Sequence, residues 1–100
     1  MRAVLAELAA TRARVAASIA NGHAFADHAV EFGVTTPGQF QSAVEDVLND
    51  PTTQVKTLER GRTAFYNRAT NSLVIVNPKA RDSGTAFRPR RGQQYIDELN

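Results

Sequence analysis

The sequence predicts one α+β domain in which helices come first and a small antiparallel β-sheet follows. Up to residue 50, apolar residues recur at helical spacing and each helical segment is bounded by cap or stop residues. After Pro51 the pattern changes to short β-branched and aromatic runs separated by turn residues. Helices followed by a run of strands are typical of an α+β fold, and 100 residues suffice for one hydrophobic core.

Three helices are predicted in the first half of the chain. An alanine-rich helix over residues 2–20 ends at Asn21-Gly22, because both residues tolerate the left-handed conformation of a helix C-cap. A second, shorter helix is expected over residues 23–32. A third follows the cap residue Thr36 with proline at its first position, and it carries the clearest apolar period of the chain over residues 37–49.

Four strands are predicted in the second half, over Val55–Arg60, Thr63–Asn67, Ser72–Asn77 and Thr85–Arg88. The run Leu73–Val76 is apolar throughout, which favours a central strand covered by helices. Residues 68–71 are expected to form a hairpin loop. Residues 90–100 are expected to close as a final helical turn with Tyr95, Ile96 and Leu99 facing inward.

The composition excludes several kinds of site. The chain has no cysteine, which removes disulfides, thiolate zinc sites and cysteine nucleophiles. Two histidines do not suffice for a histidine-rich metal site. No stretch approaches the roughly 18 apolar residues of a membrane span, and the N-terminus lacks the apolar core of a secretory signal.

The net charge of +2 conceals an asymmetry between the two halves. Residues 1–50 hold three arginines against six acidic residues, whereas residues 51–100 hold nine lysines and arginines against four acidic residues. Tyr66 and Phe87 lie among these cations. Cations beside aromatic rings on a sheet suit RNA, since arginine binds phosphate and unstacked bases stack on rings. The alternative is that the rings belong to the core and the arginines form a solvated face.

The two histidines are the candidates for acid–base chemistry. On the predicted second helix, His28 shares a face with Phe25 and Phe32 and therefore faces inward or toward the edge of a cleft. His23 lies one turn from Asp27 and could pair with it. RNA cleavage without a metal uses the ribose 2′-hydroxyl as nucleophile and needs a base, an acid and cations at the phosphate. The alternative is a structural histidine on an apolar helix face.

Several segments resemble one family of bacterial toxins. They are GHAFADHAVEFG at 22–33, LERGRTAFYNRATNSLVIVNPKARDSGTAFRP at 58–89 and QQYIDEL at 93–99. These segments resemble the C-terminal ribonuclease domains of polymorphic and contact-dependent growth-inhibition toxins, which are similar in architecture to colicin D, barnase and RelE (the BECR superfamily). The resemblance makes residues 22–100 the toxin domain and residues 1–21 an N-terminal helix on the possible linker side, together one compact domain.

The resemblance implies a metal-independent endoribonuclease that cleaves tRNA by 2′-hydroxyl attack. Carried over position by position, it implies an active-site neighbourhood of His23, His28, Arg60, Arg62, Thr85 and Arg88, of which all but Arg60 are assigned as catalytic. The RNA-binding candidates are Arg60 and Lys79 with the rings of Tyr66 and Phe87 for base stacking, and Tyr95 as either a contact or a core residue. His28 is expected to be the general base or acid, and the division of roles with His23 stays open. Asp27 stands where the family often has a lysine before the second histidine, so the role of that cation falls to Arg62 or Arg88.

The partners follow from the same resemblance. It implies an RNA substrate, an acidic immunity protein, no cofactor and no metal, and it does not indicate a homo-oligomer. It also implies a secreted or delivered bacterial effector that acts in the cytoplasm of the target cell. The alternative that the residues leave open is a small RNA- or DNA-binding module that uses the basic sheet without turnover.

Overall fold

The computed structural model describes residues 2–100, with side chains from residue 11 onward. Its helices are α1 (Arg2–Ala20), α2 (His23–His28), α3 (Pro37–Asn49) and α4 (Gln93–Glu98), and its strands are β1 (Gln54–Thr57), β2 (Thr63–Asn67), β3 (Ser72–Val76) and β4 (Gly84–Phe87). The strands form one antiparallel sheet in the order β1-β2-β3-β4. The predicted α+β fold with an antiparallel sheet is confirmed. No helix of the described residues is long and apolar enough to cross a membrane.

The third helix forms where its caps predict it. The Thr36 hydroxyl accepts the backbone N–H of Gln39, and the Gln39 side chain accepts the backbone N–H of Thr36. This reciprocal box satisfies donors that the first turn of a helix leaves free. The buried face of α3, with Phe40 and Val44 fully enclosed, then packs against α1 and the sheet.

The main core lies between the helices and one face of the sheet. Ala16 and Ile19 of α1 are fully buried there, together with Val74 and Ala86 of the two last strands. Small alanines on α1 allow the helix backbones to approach closely. The core therefore includes the end of α1, and residues 16–20 pack as part of the same unit as the sheet.

A smaller core lies on the opposite face of the sheet. Because side chains alternate along a strand, Leu73 and Ile75 point to this face while their neighbours point to the helices. Helix α4 covers them with Ile96, as predicted. The ammonium of Lys56 on β1 donates to the carbonyl oxygens of Ile96 and Asp97 at 2.8 and 3.2 Å, which fastens α4 to the sheet edge.

Several strand ends differ from the sequence predictions by one residue, and two element boundaries differ by more, for a reason visible in the backbone. The first strand ends at Thr57 and not at Arg60, because Arg60 adopts a left-handed conformation (φ 62°) inside the 3-10 turn Glu59–Gly61. The second helix is α-helical only as far as His28, whose φ of −131° breaks it, and the chain continues as the 3-10 turn Ala29–Phe32. Both turns orient side chains that matter below.

Two glycines permit close approaches that no other residue would allow. A Cβ at Gly84 would lie 1.9 Å from the carbonyl oxygen of Ile75, and the residue has a φ of 133°. A Cβ at Gly22 would lie 2.4 Å from the Cβ of Asp82. Gly84 thus allows β4 to pair with β3, and Gly22 allows Asp82 to reach the start of α2.

Candidate active site

The candidate site is organised by the packing of α2 along β4, the edge strand of the sheet. His23 begins α2 and His28 ends it, so the two histidines are separated by about 7.5 Å along the helix axis. Each ring is bonded through Nδ1 to a carboxylate, and each lies in a different depression of the surface. We call these depressions the His28 cleft and the Arg62 groove.

The His28 cleft has a volume of about 520 Å³ and is lined by His28, Glu31, Phe87, Arg88, Pro89, Arg90, Arg91 and Tyr95. The His28 ring packs 5.3 Å from the ring of Phe87, and Nδ1 lies 2.5 Å from Oε2 of Glu31. The break at His28 and the tight turn after it bring residues three apart close together. When Nδ1 donates to Glu31, Nε2 keeps its lone pair and is free to accept a proton.

Glu31 joins the helical side of the cleft to β4. Its Oε2 bonds the His28 ring, while Oε1 accepts the backbone N–H of Arg88 at 2.9 Å. Burial alone would raise the pKa of Glu31, but the Arg88 N–H, the His28 ring and the nearby positive charges together hold this pKa below its usual value. The carboxylate is therefore ionised at neutral pH and fixes the orientation of the imidazole.

Arg88 holds the wall of the cleft in place. Its Nε donates to Oγ of Ser72 at 3.3 Å, and Nη1 donates to the carbonyl oxygen of Glu31 at 3.1 Å. The guanidinium lies 4.8 Å from the centroid of the Phe32 ring, a cation–π contact. These contacts commit part of the guanidinium to the fold and leave its remaining N–H groups for a ligand.

Two further arginines and a second ring complete the His28 cleft. Arg91 forms an ion pair with Glu98, and both side chains are 54% exposed. Arg90 is exposed and makes no side-chain hydrogen bond to the part of the chain that the structure describes. Tyr95 meets Phe87 edge to face at 5.6 Å, so its ring both packs and lines the cleft.

The second histidine pair is built across the fold. His23 Nδ1 bonds Oδ2 of Asp82, and the backbone N–H of His23 donates to the same oxygen at 3.3 Å. The hydrogen bond from the His23 ring is the main reason that the pKa of Asp82 lies below its usual value. The expected pairing of His23 with Asp27 is wrong, because Gly22 admits Asp82 instead.

The Arg62 groove has two connected parts, with volumes of about 210 and 460 Å³, and both parts are lined by Arg62 and Asn77. The guanidinium of Arg62 donates to the carbonyl oxygens of Glu59 and Asn100 at 3.2 and 3.3 Å. Thr85 lines the groove, and within the described residues its buried Oγ1 has no hydrogen-bond partner. An unpaired buried hydroxyl costs about 1–3 kcal/mol of folding free energy.

The structure divides the predicted site residues between the two depressions. The His28 cleft contains His28, Phe87, Arg88 and Tyr95, whereas the Arg62 groove contains His23, Arg60, Arg62, Lys79 and Thr85. Arg62 therefore lies apart from His28, although the resemblance implied that both belong to one set of catalytic residues. Tyr66 is corrected from a base-stacking residue to a core residue, because it is 2% exposed and its hydroxyl donates to Asn71 at 2.7 Å.

Sequence reasoning missed four residues of these surfaces: Glu31, Asp82, Arg90 and Arg91. Glu31 had a usable signal, since a carboxylate three residues after a histidine can reach it on a helical turn. Arg90 and Arg91 belong to the basic half of the chain, but the sequence gives them no role in a particular site. Asp82 had no signal, because 59 residues separate it from His23.

Comparisons with known proteins bear on the fold. No protein-family model and no curated protein matches the chain. Among solved structures, the chain is similar to a ribonuclease from Escherichia coli complexed with its inhibitor protein, with a TM-score of 0.52 and 24% sequence identity. The likeness covers 71% of this chain and 89% of that one. Helices packed on a small antiparallel sheet are therefore also the fold of that ribonuclease.

Proposed function

We propose that this protein is an endoribonuclease that cuts RNA in the His28 cleft through attack by the ribose 2′-hydroxyl. The observation that carries the proposal is the His28–Glu31 pair, whose free ring nitrogen lies in a cleft lined by three arginines and two aromatic rings. The ribonuclease fold of the similar protein supports the same class of reaction. The side chains of the cleft supply the acid–base and cationic groups that this chemistry needs.

The proton steps are assigned to His28. Nε2 takes the proton of the 2′-hydroxyl, whose oxygen then forms a bond to the adjacent phosphorus. The bond from phosphorus to the 5′-oxygen breaks, and that oxygen takes a proton from solvent water, which His28 replaces with the proton it has taken, so that a 2′,3′-cyclic phosphate and a 5′-hydroxyl are left and His28 is neutral again. Glu31 is a positioning residue, since it touches the imidazole and stabilises the cation that His28 becomes after taking the proton.

The phosphate and the base are assigned to the remaining groups of the cleft. The guanidinium of Arg90 makes no hydrogen bond to the described residues, so all of its N–H groups are available to the phosphate. Arg88 contributes the N–H groups that its contacts with Ser72 and Glu31 leave free. Tyr95 offers a half-buried ring on which an unstacked base can lie. This arrangement suits a single-stranded stretch of RNA, whose bases can turn outward.

The biological setting is proposed from the toxin resemblance. The similar ribonuclease was solved with an inhibitor protein, and we propose that this chain likewise has a cognate immunity protein. Such a partner would be acidic, because complementary charge speeds association with a basic cleft and covers the phosphate site. We further propose that the protein is a delivered bacterial toxin that acts in the cytoplasm of its target and cuts tRNA.

The proposal is tested by incubating purified protein with total tRNA in the presence of EDTA. We expect discrete fragments that end in a 2′,3′-cyclic phosphate, and His28→Ala should lower the rate by about 100-fold or more. Asp27→Ala, an exposed neighbour that does not line the His28 cleft, is the matched control and should cut like the wild type. RNA that is bound but not cut would favour the binding module, and fragments from His28→Ala at the wild-type rate would refute the assignment.

A further inference from the structure

The Arg62 groove is a second basic surface that the proposed chemistry does not use. Its two parts share Arg62 and Asn77, so they form one continuous depression. Arg60 and Lys79 line it and are exposed, and neither side chain bonds another group in the part of the chain that the structure describes. These two cations are therefore free to meet an anion.

Two acidic groups also line the groove, and one of them is already hydrogen-bonded. The Asp82 carboxylate is bonded by the ring and the backbone N–H of His23. Asp82 and Glu59 stand against the three cations Arg60, Arg62 and Lys79. The formal charge of the groove is thus positive, and the exposed side chains of Arg60 and Lys79 carry the charges that are not already bonded.

The groove differs from the His28 cleft in having no phenylalanine, tyrosine or tryptophan among its lining residues, and its one ring is the imidazole of His23, which is already bonded to Asp82. A surface of cations without such rings can bind phosphates but offers little for the stacking of bases. Such a surface holds a nucleic-acid backbone regardless of its sequence. The His28 cleft, by contrast, has the rings Phe87 and Tyr95 beside its arginines.

The two depressions border the same strand, β4. Thr85 lines the groove and Phe87 lines the cleft, and both project from the same face of the strand, about 6.6 Å apart. A strand of RNA that runs along β4 would therefore touch both depressions.

We propose that the Arg62 groove binds the RNA backbone at phosphates remote from the bond that is cut in the His28 cleft. The substrate is then a single-stranded RNA segment long enough to reach both depressions, and short fragments are poor substrates. This inference rests on the proposed function. It adds to the proposed function the length of RNA that the substrate needs and the residues that bind its additional phosphates.

Binding of RNA that cannot be cut tests the groove apart from the chemistry. The probes are a long 2′-O-methyl oligoribonucleotide and a 2′-O-methyl dinucleotide, and the variant is Arg60→Ala combined with Lys79→Ala. We expect affinity for the long probe to fall by about tenfold at low salt. The salt slope of log K should fall by about 0.7 for each phosphate that the variant no longer neutralises. Affinity for the dinucleotide should fall much less, because it cannot reach from the cleft to the groove.

Arg14→Ala combined with Arg68→Ala is the matched control, since both arginines are exposed and line neither depression. Arg62 is left unchanged because its guanidinium supports the fold. An equal loss for both double variants, or for both probes, would overturn the groove assignment. Unchanged RNA binding with reduced affinity for an acidic protein would overturn it in favour of a protein-docking surface.

Parallel cleavage assays on the unmethylated RNAs separate this inference from the proposed function. If the wild type cuts no RNA but the binding pattern holds, the groove stands and the ribonuclease assignment fails. If the wild type cuts RNA and the groove variant binds and cuts like the control, the groove assignment alone fails. Thermal unfolding of each variant shows that it is folded before either result is read.

Discussion

The two histidine–carboxylate pairs are alike in their bonds and different in their surroundings. His28 bonds a carboxylate three residues away, in a cleft with arginines and rings, and its side chain is 30% exposed. His23 bonds a carboxylate 59 residues away, its side chain is 59% exposed, and no ring lies beside it among the described residues of the groove. A carboxylate orients an imidazole in both cases. What assigns the chemistry to His28 is the set of cations and rings that the fold places around it.

The largest effect expected from this comparison comes from removing the carboxylate of the His28 pair. Glu31→Gln should slow RNA cleavage by about 10- to 100-fold, because His28 loses both its orientation and the charge that stabilises its cation. The loss should fall on kcat and leave KM nearly unchanged, since the Glu31 carboxylate is bonded to the imidazole and to the Arg88 N–H. A merely structural role for Glu31 would lower the rate only together with the free energy of unfolding.

Asp82→Asn is the matched change in the other pair. It should slow cleavage of long RNA far less than Glu31→Gln does. Equal losses of kcat from the two variants, or a larger loss from Asp82→Asn, would transfer the acid–base role to His23. The measurement is kcat and KM of both variants on one RNA substrate.

A smaller effect is expected from Gly22→Ala, which disturbs only the long-range pair. The new Cβ would lie 2.4 Å from the Cβ of Asp82, so Asp82 has to move away from His23. We expect a loss of about 1–3 kcal/mol in the free energy of unfolding, as for other overpacked positions. Gly38→Ala is the control, because no atom lies within 4 Å of its Cβ position and alanine favours a helix. Equal effects of the two changes on denaturant unfolding would contradict this account.

The smallest effect is the dependence of stability on acid pH. The folded pKa values of Glu31 and Asp82 lie below their usual values of 4.5 and 3.8, so the unfolded chain binds more protons in this range. The stability that their ionised forms contribute is fully present above the usual values and is lost as the pH falls through the folded ones. Glu31→Gln and Asp82→Asn should each flatten part of this decline in unfolding experiments below about pH 4.5. Variants that keep the wild-type decline would show that other carboxyls cause it.

Local signals predicted most of the fold. The Thr36 cap and the apolar period located α3, and the turn residues at 68–71 separated β2 from β3 as expected. The error at the end of the first strand has a physical cause. Arg60 has a left-handed backbone conformation, which residue type predicts for glycine or asparagine but not for arginine. Backbone conformations that arise from tertiary packing are not visible in residue type.

The candidate site was less predictable than the fold. The resemblance grouped Arg88 with His28 as catalytic, and Phe87 and Arg88 do line the His28 cleft. For other residues the face of the strand decides the outcome: Tyr66 points into the smaller core under α4, although Arg62 and Arg68 lie nearby in the sequence. The separation of Arg62 from His28 depends on sheet order and on the path of α2, which composition and spacing do not specify.

The bond from Arg88 N–H to Glu31 has a consequence for the order of folding. It joins residues 57 apart, and the His23–Asp82 bond joins residues 59 apart, so each closes most of the chain into a loop. Bonds of this kind carry a large loop-closure entropy and make folding slow. A chain whose last strand has not yet docked has both histidines and most of its arginines but no cleft. Such a chain lacks the site proposed for RNA cleavage until its final strand is in place.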